Sequence, residues 1–124
     1  MSRKAFSSED LAPAAGPFSA AVQADELIFL SGQVAQDATG TLIRGDVAAQ
    51  TEQIFRNLRA VLSAAGRTLA DVVRVGVYLT DMRDFASMNT VYERQFERPH
   101  PARTTIAVSA LPLGATVEID LVAR

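Results

Sequence analysis

Pro101–Asp120 reads PARTTIAVSALPLGATVEID, and it holds two short alternating runs around a proline-glycine turn. The first is Arg103-Thr104-Thr105-Ile106-Ala107-Val108, and the second is Ala115-Thr116-Val117-Glu118-Ile119-Asp120-Leu121. Side chains alternate between the faces of a strand. Arg103, Thr105 and Ala107 therefore share one face of the first run, with Thr104, Ile106 and Val108 on the other. In the second run Ala115, Val117, Ile119 and Leu121 oppose Thr116, Glu118 and Asp120. Arg103 and Glu118 each fall on the less apolar face of a short strand. They are either solvated strand charges, the usual fate of charged side chains, or members of a site.

Working outward, the preceding 100 residues supply what such strands pack against. Phe18–Val22 and Leu27–Leu30 read as two strands around a turn at Gln23-Ala24-Asp25-Glu26. Ser31-Gly32-Gln33 ends the second, and Gly32 marks either a plain strand end or a place of close approach. A short extended piece is expected at Leu42-Ile43. Asp46 is placed to cap a helix over Val47–Ala65, whose Val47, Thr51, Ile54, Phe55, Leu58, Val61 and Leu62 recur at helical spacing, with Gly66 as its stop. Val73, Val75, Val77 and Leu79 alternate in a strand at about Val72–Thr80. A second helix, Phe85–Phe96, carries a stripe of Phe85, Met88, Tyr92 and Phe96, and Asn89 lies on that stripe. Glu97-Arg98-Pro99-His100-Pro101 breaks it, which makes His100 a loop residue. Residues 1–16 read as a mobile or loosely docked arm.

The order β-β-(β)-α-β-α-β-β in 124 residues fits one α+β domain: a mixed sheet with two helices packed on one face. Nothing is left to cover the other face, which is expected to carry Val72, Tyr78, Ala107 and Val122. A half-apolar face of that kind implies self-association.

Composition narrows the function. With 48% hydrophobic residues the chain can bury a real core, and a net charge of −2 with scattered basic residues gives no footprint for nucleic acid or an anionic membrane. No cysteine and a single histidine remove thiolate chemistry, disulfides and the usual zinc ligand set. No apolar run approaches the ~18 residues of a membrane span, and the N-terminus lacks a signal-peptide core; a cytoplasmic protein is expected. One fixed cation, one carboxylate and the neutral groups of Ser31, Asn89 and Thr105 are left. A guanidinium grips a carboxylate in bidentate fashion, and a sheltered carboxylate can polarise water. These parts suit hydrolysis of a small, electrophilic, carboxylate-bearing molecule.

Pro-Ala-Arg-Thr, a hydrophobic run, a turn and Val-Glu-Ile closely resemble the C-terminal signature of the YjgF/RidA family of imine/enamine deaminases. Ala15-Gly16-Pro17-Phe18, Phe29-Leu30-Ser31-Gly32-Gln33, Asp46–Thr51 and Asn89-Thr90-Val91-Tyr92-Glu93 resemble further family segments in the family order. The resemblance implies a chorismate-mutase-like single domain that forms a homotrimer with one site in each cleft between subunits. It implies hydrolysis of 2-imino acids or their enamines, such as 2-aminoacrylate or 2-iminobutanoate, to 2-keto acids and ammonia, with no cofactor and no metal. By the same resemblance Arg103 binds the substrate carboxylate, Glu118 positions the water with help from the Thr105 backbone carbonyl, and Phe18, Ser31, Gly32 and Asn89 line the pocket. Phe18 departs from the tyrosine usual there, and Thr105 from a frequent cysteine. Two other roles of this fold stay open: a non-catalytic, metabolite-binding regulator, and a ribonuclease or translation inhibitor, which the acidic balance and the lone histidine disfavour.

Overall fold

The computed structural model describes residues 2–124. Six strands form one sheet in the order β1-β2-β3-β6-β4-β5, and two helices cover one of its faces. The strands are β1 (Lys4–Phe6), β2 (Ala21–Ala24), β3 (Leu27–Gln33), β4 (Val72–Leu79), β5 (Ala102–Ala107) and β6 (Val117–Ala123); the helices are α1 (Val47–Ala64) and α2 (Phe85–Glu93). β6 inserts between β3 and β4, antiparallel to both, and only β4 and β5 run parallel. Two crossovers, β3-α1-β4 and β4-α2-β5, step the same way across the sheet. Crossovers between parallel strands are right-handed, so the same direction of travel puts both helices on the same side. This is the expected α+β arrangement. No described helix is long and apolar enough to cross a membrane.

α1 follows from its sequence. The Asp46 carboxylate accepts a hydrogen bond from the Ala49 amide at 2.9 Å, a cap worth about 1 kcal/mol. Gly66 at φ +70° lets the chain turn back, so that the Gly66 amide donates to Ser63 and the Arg67 amide to Leu62, closing the last turn. Between these ends Ile54, Phe55, Leu58, Val61 and Leu62 are fully buried against Ile28, Val75, Val77, Leu79, Val117 and Ile119 of the sheet. Each such side chain contributes about 1.5–3 kcal/mol by burial. The polar residues on the inner face of α1 are bonded: the Gln50 side-chain carbonyl accepts from both the amide and the hydroxyl of Thr116, pinning the entry to β6, and the Asn57 amide donates to the carbonyls of Val34 and Gln36.

Several boundaries differ from expectation. The first hairpin turns on two residues, Asp25 and Glu26, with Asp25 at φ 54°; β2 begins at Ala21, so Phe18 lies in the preceding loop. Aspartate tolerates this left-handed conformation better than most residues, and the hairpin therefore needs no glycine. Leu42 makes a single bridge to Gln36, not a strand. α2 ends at Glu93, where the chain tightens into i→i+3 bonds from Arg94 and Gln95. Within the arm, Lys4–Phe6 pair with β2 and add a sixth strand. Val72 and Ala107 belong to the helix face, not the open one: Val72 pairs with Ala123 ahead of a bulge, and Ala107 pairs with Leu79. The open face carries Val22, Phe29, Arg74, Tyr78, Thr104, Ile106, Glu118, Asp120 and Val122.

Candidate active site

The residues singled out in the sequence collect into two groups on opposite faces of the sheet. Arg103 projects from β5 towards α2. Its Nη1 donates to the Asn89 side-chain carbonyl at 2.7 Å, and its guanidinium lies over the Tyr92 ring at 4.5 Å and beside Phe85 at 5.5 Å. Cation–π contacts of this kind are worth about 0.5–2 kcal/mol. Asn89 and Tyr92 follow Phe85 at i+4 and i+7, which is why a single helix stripe can grip the guanidinium from both ring and amide. Among the described residues no carboxylate lies within ion-pair reach of Arg103. Arg103 borders a small cavity of about 260 Å³ that His100 and Pro101 also line, so the proline corner brings His100 to this group. The Thr105 hydroxyl, on the same face, is buried without a partner, as is that of Tyr92. Burial pushes the Tyr92 phenol up, and the neighbouring guanidinium opposes it.

Glu118 stands on the open face, half-buried. Gly32 on β3 makes room for it: a Cβ at Gly32 would stand 2.9 Å from the Glu118 carboxyl carbon and overlap Oε2. Gly32 is thus a site of close approach, not merely a strand end. Glu118 is in register with Tyr78 on β4, whose hydroxyl donates to Asp120 at 3.0 Å. Burial, and secondarily the Asp120 charge, push the Glu118 carboxyl above the ordinary carboxylate range. The bond to Asp120 pushes the Tyr78 phenol up. Phe18, Gly32 and Glu118 together line a cavity of about 410 Å³ walled by Leu11–Pro17 and by Pro112-Leu113. Ser31 supports this wall from behind, its hydroxyl donating to the Ser19 carbonyl at 2.7 Å; it fixes the loop that carries Phe18.

Arg103 and Glu118 therefore do not meet within one chain. β4 separates their strands, about 10 Å at normal strand spacing, and their side chains leave the sheet in opposite directions. Alternation gives a strand its period but not which of its faces the helices will cover. β5 is an edge strand, and its helix-side face is lined by Asn89 and Tyr92 where an inner strand would meet core. Sequence reasoning missed the Phe85–Tyr92 sleeve and the Tyr78–Asp120 pair; Tyr92 could have been found from its place on the Asn89 stripe.

A desolvated carboxylate costs stability when it is ionised. Because the folded-state pKa of Glu118 is raised, its favourable contribution is complete below the unfolded carboxylate value and is lost as pH rises through the folded one. Glu118→Gln is accordingly expected to melt at a higher temperature than wild type at neutral pH. That difference should vanish at a pH below the ordinary carboxylate range. Thermal denaturation followed across pH checks it, and a Glu118→Gln protein less stable at neutral pH would contradict it.

A family model described as Endoribonuclease L-PSP matches residues 9–124. The chain is 50% identical over 126 residues to Protein DfrA of Myxococcus xanthus, covering 99% of this chain and 96% of that one. It is 42% identical over 122 residues to the 2-iminobutanoate/2-iminopropanoate deaminase of Mus musculus, covering 98% and 90%. A crystal structure of E. coli TdcF with bound serine superposes with a TM-score of 0.91 at 31% identity, covering 97% of each chain. The signature around Arg103 and Glu118, the sheet with its two helices and these matches agree: the chain belongs to the YjgF/RidA family, the family that the Endoribonuclease L-PSP model describes.

Proposed function

We propose that this protein hydrolyses 2-imino acids, and the enamines that tautomerise to them, to 2-keto acids and ammonia, in clefts where Arg103 of one copy faces Glu118 of the next. The observation that carries this reading is the pair of half-buried opposite charges, each without a counter-charge in reach among the described residues and each on its own side of the sheet. Arg103, steadied by Asn89, Phe85 and Tyr92, presents its free N–H groups to the substrate carboxylate. Glu118, raised in basicity by burial, takes a proton from water as the water oxygen bonds to the iminium carbon. The same proton then passes to the nitrogen of the carbinolamine. The C–N bond breaks, the hydroxyl proton returns to Glu118 as the carbonyl forms, and Glu118 passes it to the departing ammonia, which leaves as ammonium. In sum, R–C(=NH2+)–CO2− and water give R–CO–CO2− and NH4+. That the family includes a protein named as an imine deaminase and one crystallised with serine supports a small amino-acid-like ligand. A ribonuclease reading gains nothing from this site, which offers one arginine and a carboxylate in a chain of net charge −2.

The test is an imine-decay assay in which an amino-acid oxidase or threonine dehydratase generates the substrate. Accelerated release of keto acid and ammonia is expected; binding of a keto acid without turnover would favour the regulatory role.

The reading requires association. The open face exposes Phe29 and Ile106 at 42% and 45%, and β5 leaves one edge unpaired. We infer a trimer, so sedimentation at micromolar concentration should give a species near three times 13.3 kDa; a clean monomer would remove the composite cleft.

A further inference from the structure

The cavity beside Glu118 points to the kind of substituent the substrate carries. Its volume of about 410 Å³ is room for roughly a dozen waters and falls in the ~300–1,000 Å³ range of ligand pockets. A methyl or ethyl substituent would leave most of it unfilled. Its wall is apolar: Leu11, Pro13, Pro17, Phe18, Val34 and Leu113. Phe18 and Leu113 are 54% and 61% exposed, the two most exposed large apolar side chains described. Leu113 is also held at φ +62°. A leucine in the left-handed region is strained, and strain of this kind gathers at ligand sites.

The polar groups at the floor are largely committed. The Asn57 amide donates to Val34 and Gln36 and its carbonyl accepts from Gln53, while the Gln36 amide donates to Gly40. No lysine, arginine or histidine lines the cavity, and its one charge is the Glu118 carboxylate. An anionic substituent would meet repulsion from Glu118, and Arg103 of the next copy is already taken by the substrate's own carboxylate. A large neutral one would replace water against the wall at about 25 cal/mol per Å² of apolar area buried.

We propose that the preferred substrates are 2-imino acids with a large, neutral, apolar substituent, of the kind derived from leucine or phenylalanine, with that substituent seated against Phe18 and Leu113. This rests on the assignment of Glu118 as the base that acts on the imino carbon.

An amino-acid oxidase supplies the imino acids of leucine, phenylalanine, alanine and glutamate in turn, and imine decay is followed against protein concentration. The leucine- and phenylalanine-derived compounds are expected to exceed the alanine-derived one in kcat/KM by about tenfold or more, with the glutamate-derived one slowest. Leu113→Gly relieves the left-handed strain, so it should fold; it is expected to collapse the leucine-to-alanine ratio towards one. Hydrolysis of all four with alanine or glutamate preferred would overturn this proposal and leave the deaminase reading standing. An unchanged ratio in Leu113→Gly would overturn the seating of the substituent. Hydrolysis of none would overturn both.

Discussion

Glu118→Gln is expected to lower kcat by about 10²–10⁴-fold, the range for removal of a positioned general base, while a 2-keto acid still binds. Glutamine fills the same space over Gly32 and cannot accept the proton from water. In the proposed function the keto acid is held through its carboxylate by Arg103, which this substitution does not touch. The pH profile adds a second reading of the same group. Burial and the Asp120 charge raise the Glu118 pKa, so the acid limb of kcat/KM should lie above the ordinary carboxylate range. Of the other groups on that face, Tyr78 is occupied as a donor to Asp120 and Arg74 donates to Thr104. Asp120→Asn, which removes the neighbouring negative charge, should therefore move that limb to lower pH. Turnover, calorimetry with a keto acid and the pH profile check these together; wild-type turnover by Glu118→Gln would make Glu118 a strand charge and nothing more.

Arg103→Ala is expected to fail in the complementary way. Losing a charge-assisted, bidentate contact costs about 1.5–3 kcal/mol or more, roughly one to two orders of magnitude in kcat/KM, and keto-acid binding should weaken with it. Arg103→Lys should restore little, since an ammonium cannot bond Asn89, stack flat on Tyr92 and fork to a carboxylate at once. Both variants should keep the fold, because Arg103 sits on an edge strand outside the main core. Kinetics with calorimetry separate the two residues: Glu118→Gln binds without turning over, whereas Arg103→Ala loses binding.

The helices and inner strands were legible because their apolar periods, the Asp46 cap and the Gly66 stop are local signals. The hairpin was displaced because Phe18–Val22 is apolar except for Ser19, and nothing local says that Phe18 is held outside the strand at the rim of a cavity. The candidate site residues were picked out by type, through the family-like segments that contain them, but their grouping was not legible. Gly32 lies beneath Glu118 and Tyr78 bonds Asp120 only through strand registers that join residues far apart in the chain. Alternation assigned Arg103 and Glu118 to the less apolar faces of their strands, and it could not reveal that those are opposite faces of the sheet.

That opposition makes the composite cleft the central claim, and mixing two crippled chains tests it most directly. Arg103→Ala and Glu118→Gln are co-expressed with separable tags, and the mixed oligomers are isolated. In a ring of like interfaces, a cleft is intact when the Glu118→Gln chain supplies Arg103 and the Arg103→Ala chain supplies Glu118. In a mixed trimer, whichever chain is doubled, one cleft of the three meets this condition. Recovery of imine hydrolysis to about a third of the wild-type rate in the isolated mixed trimers is expected, from two parents that are each nearly inactive. Mixed oligomers no more active than their parents would place Arg103 and Glu118 in the service of one chain's own site, and would contradict the account.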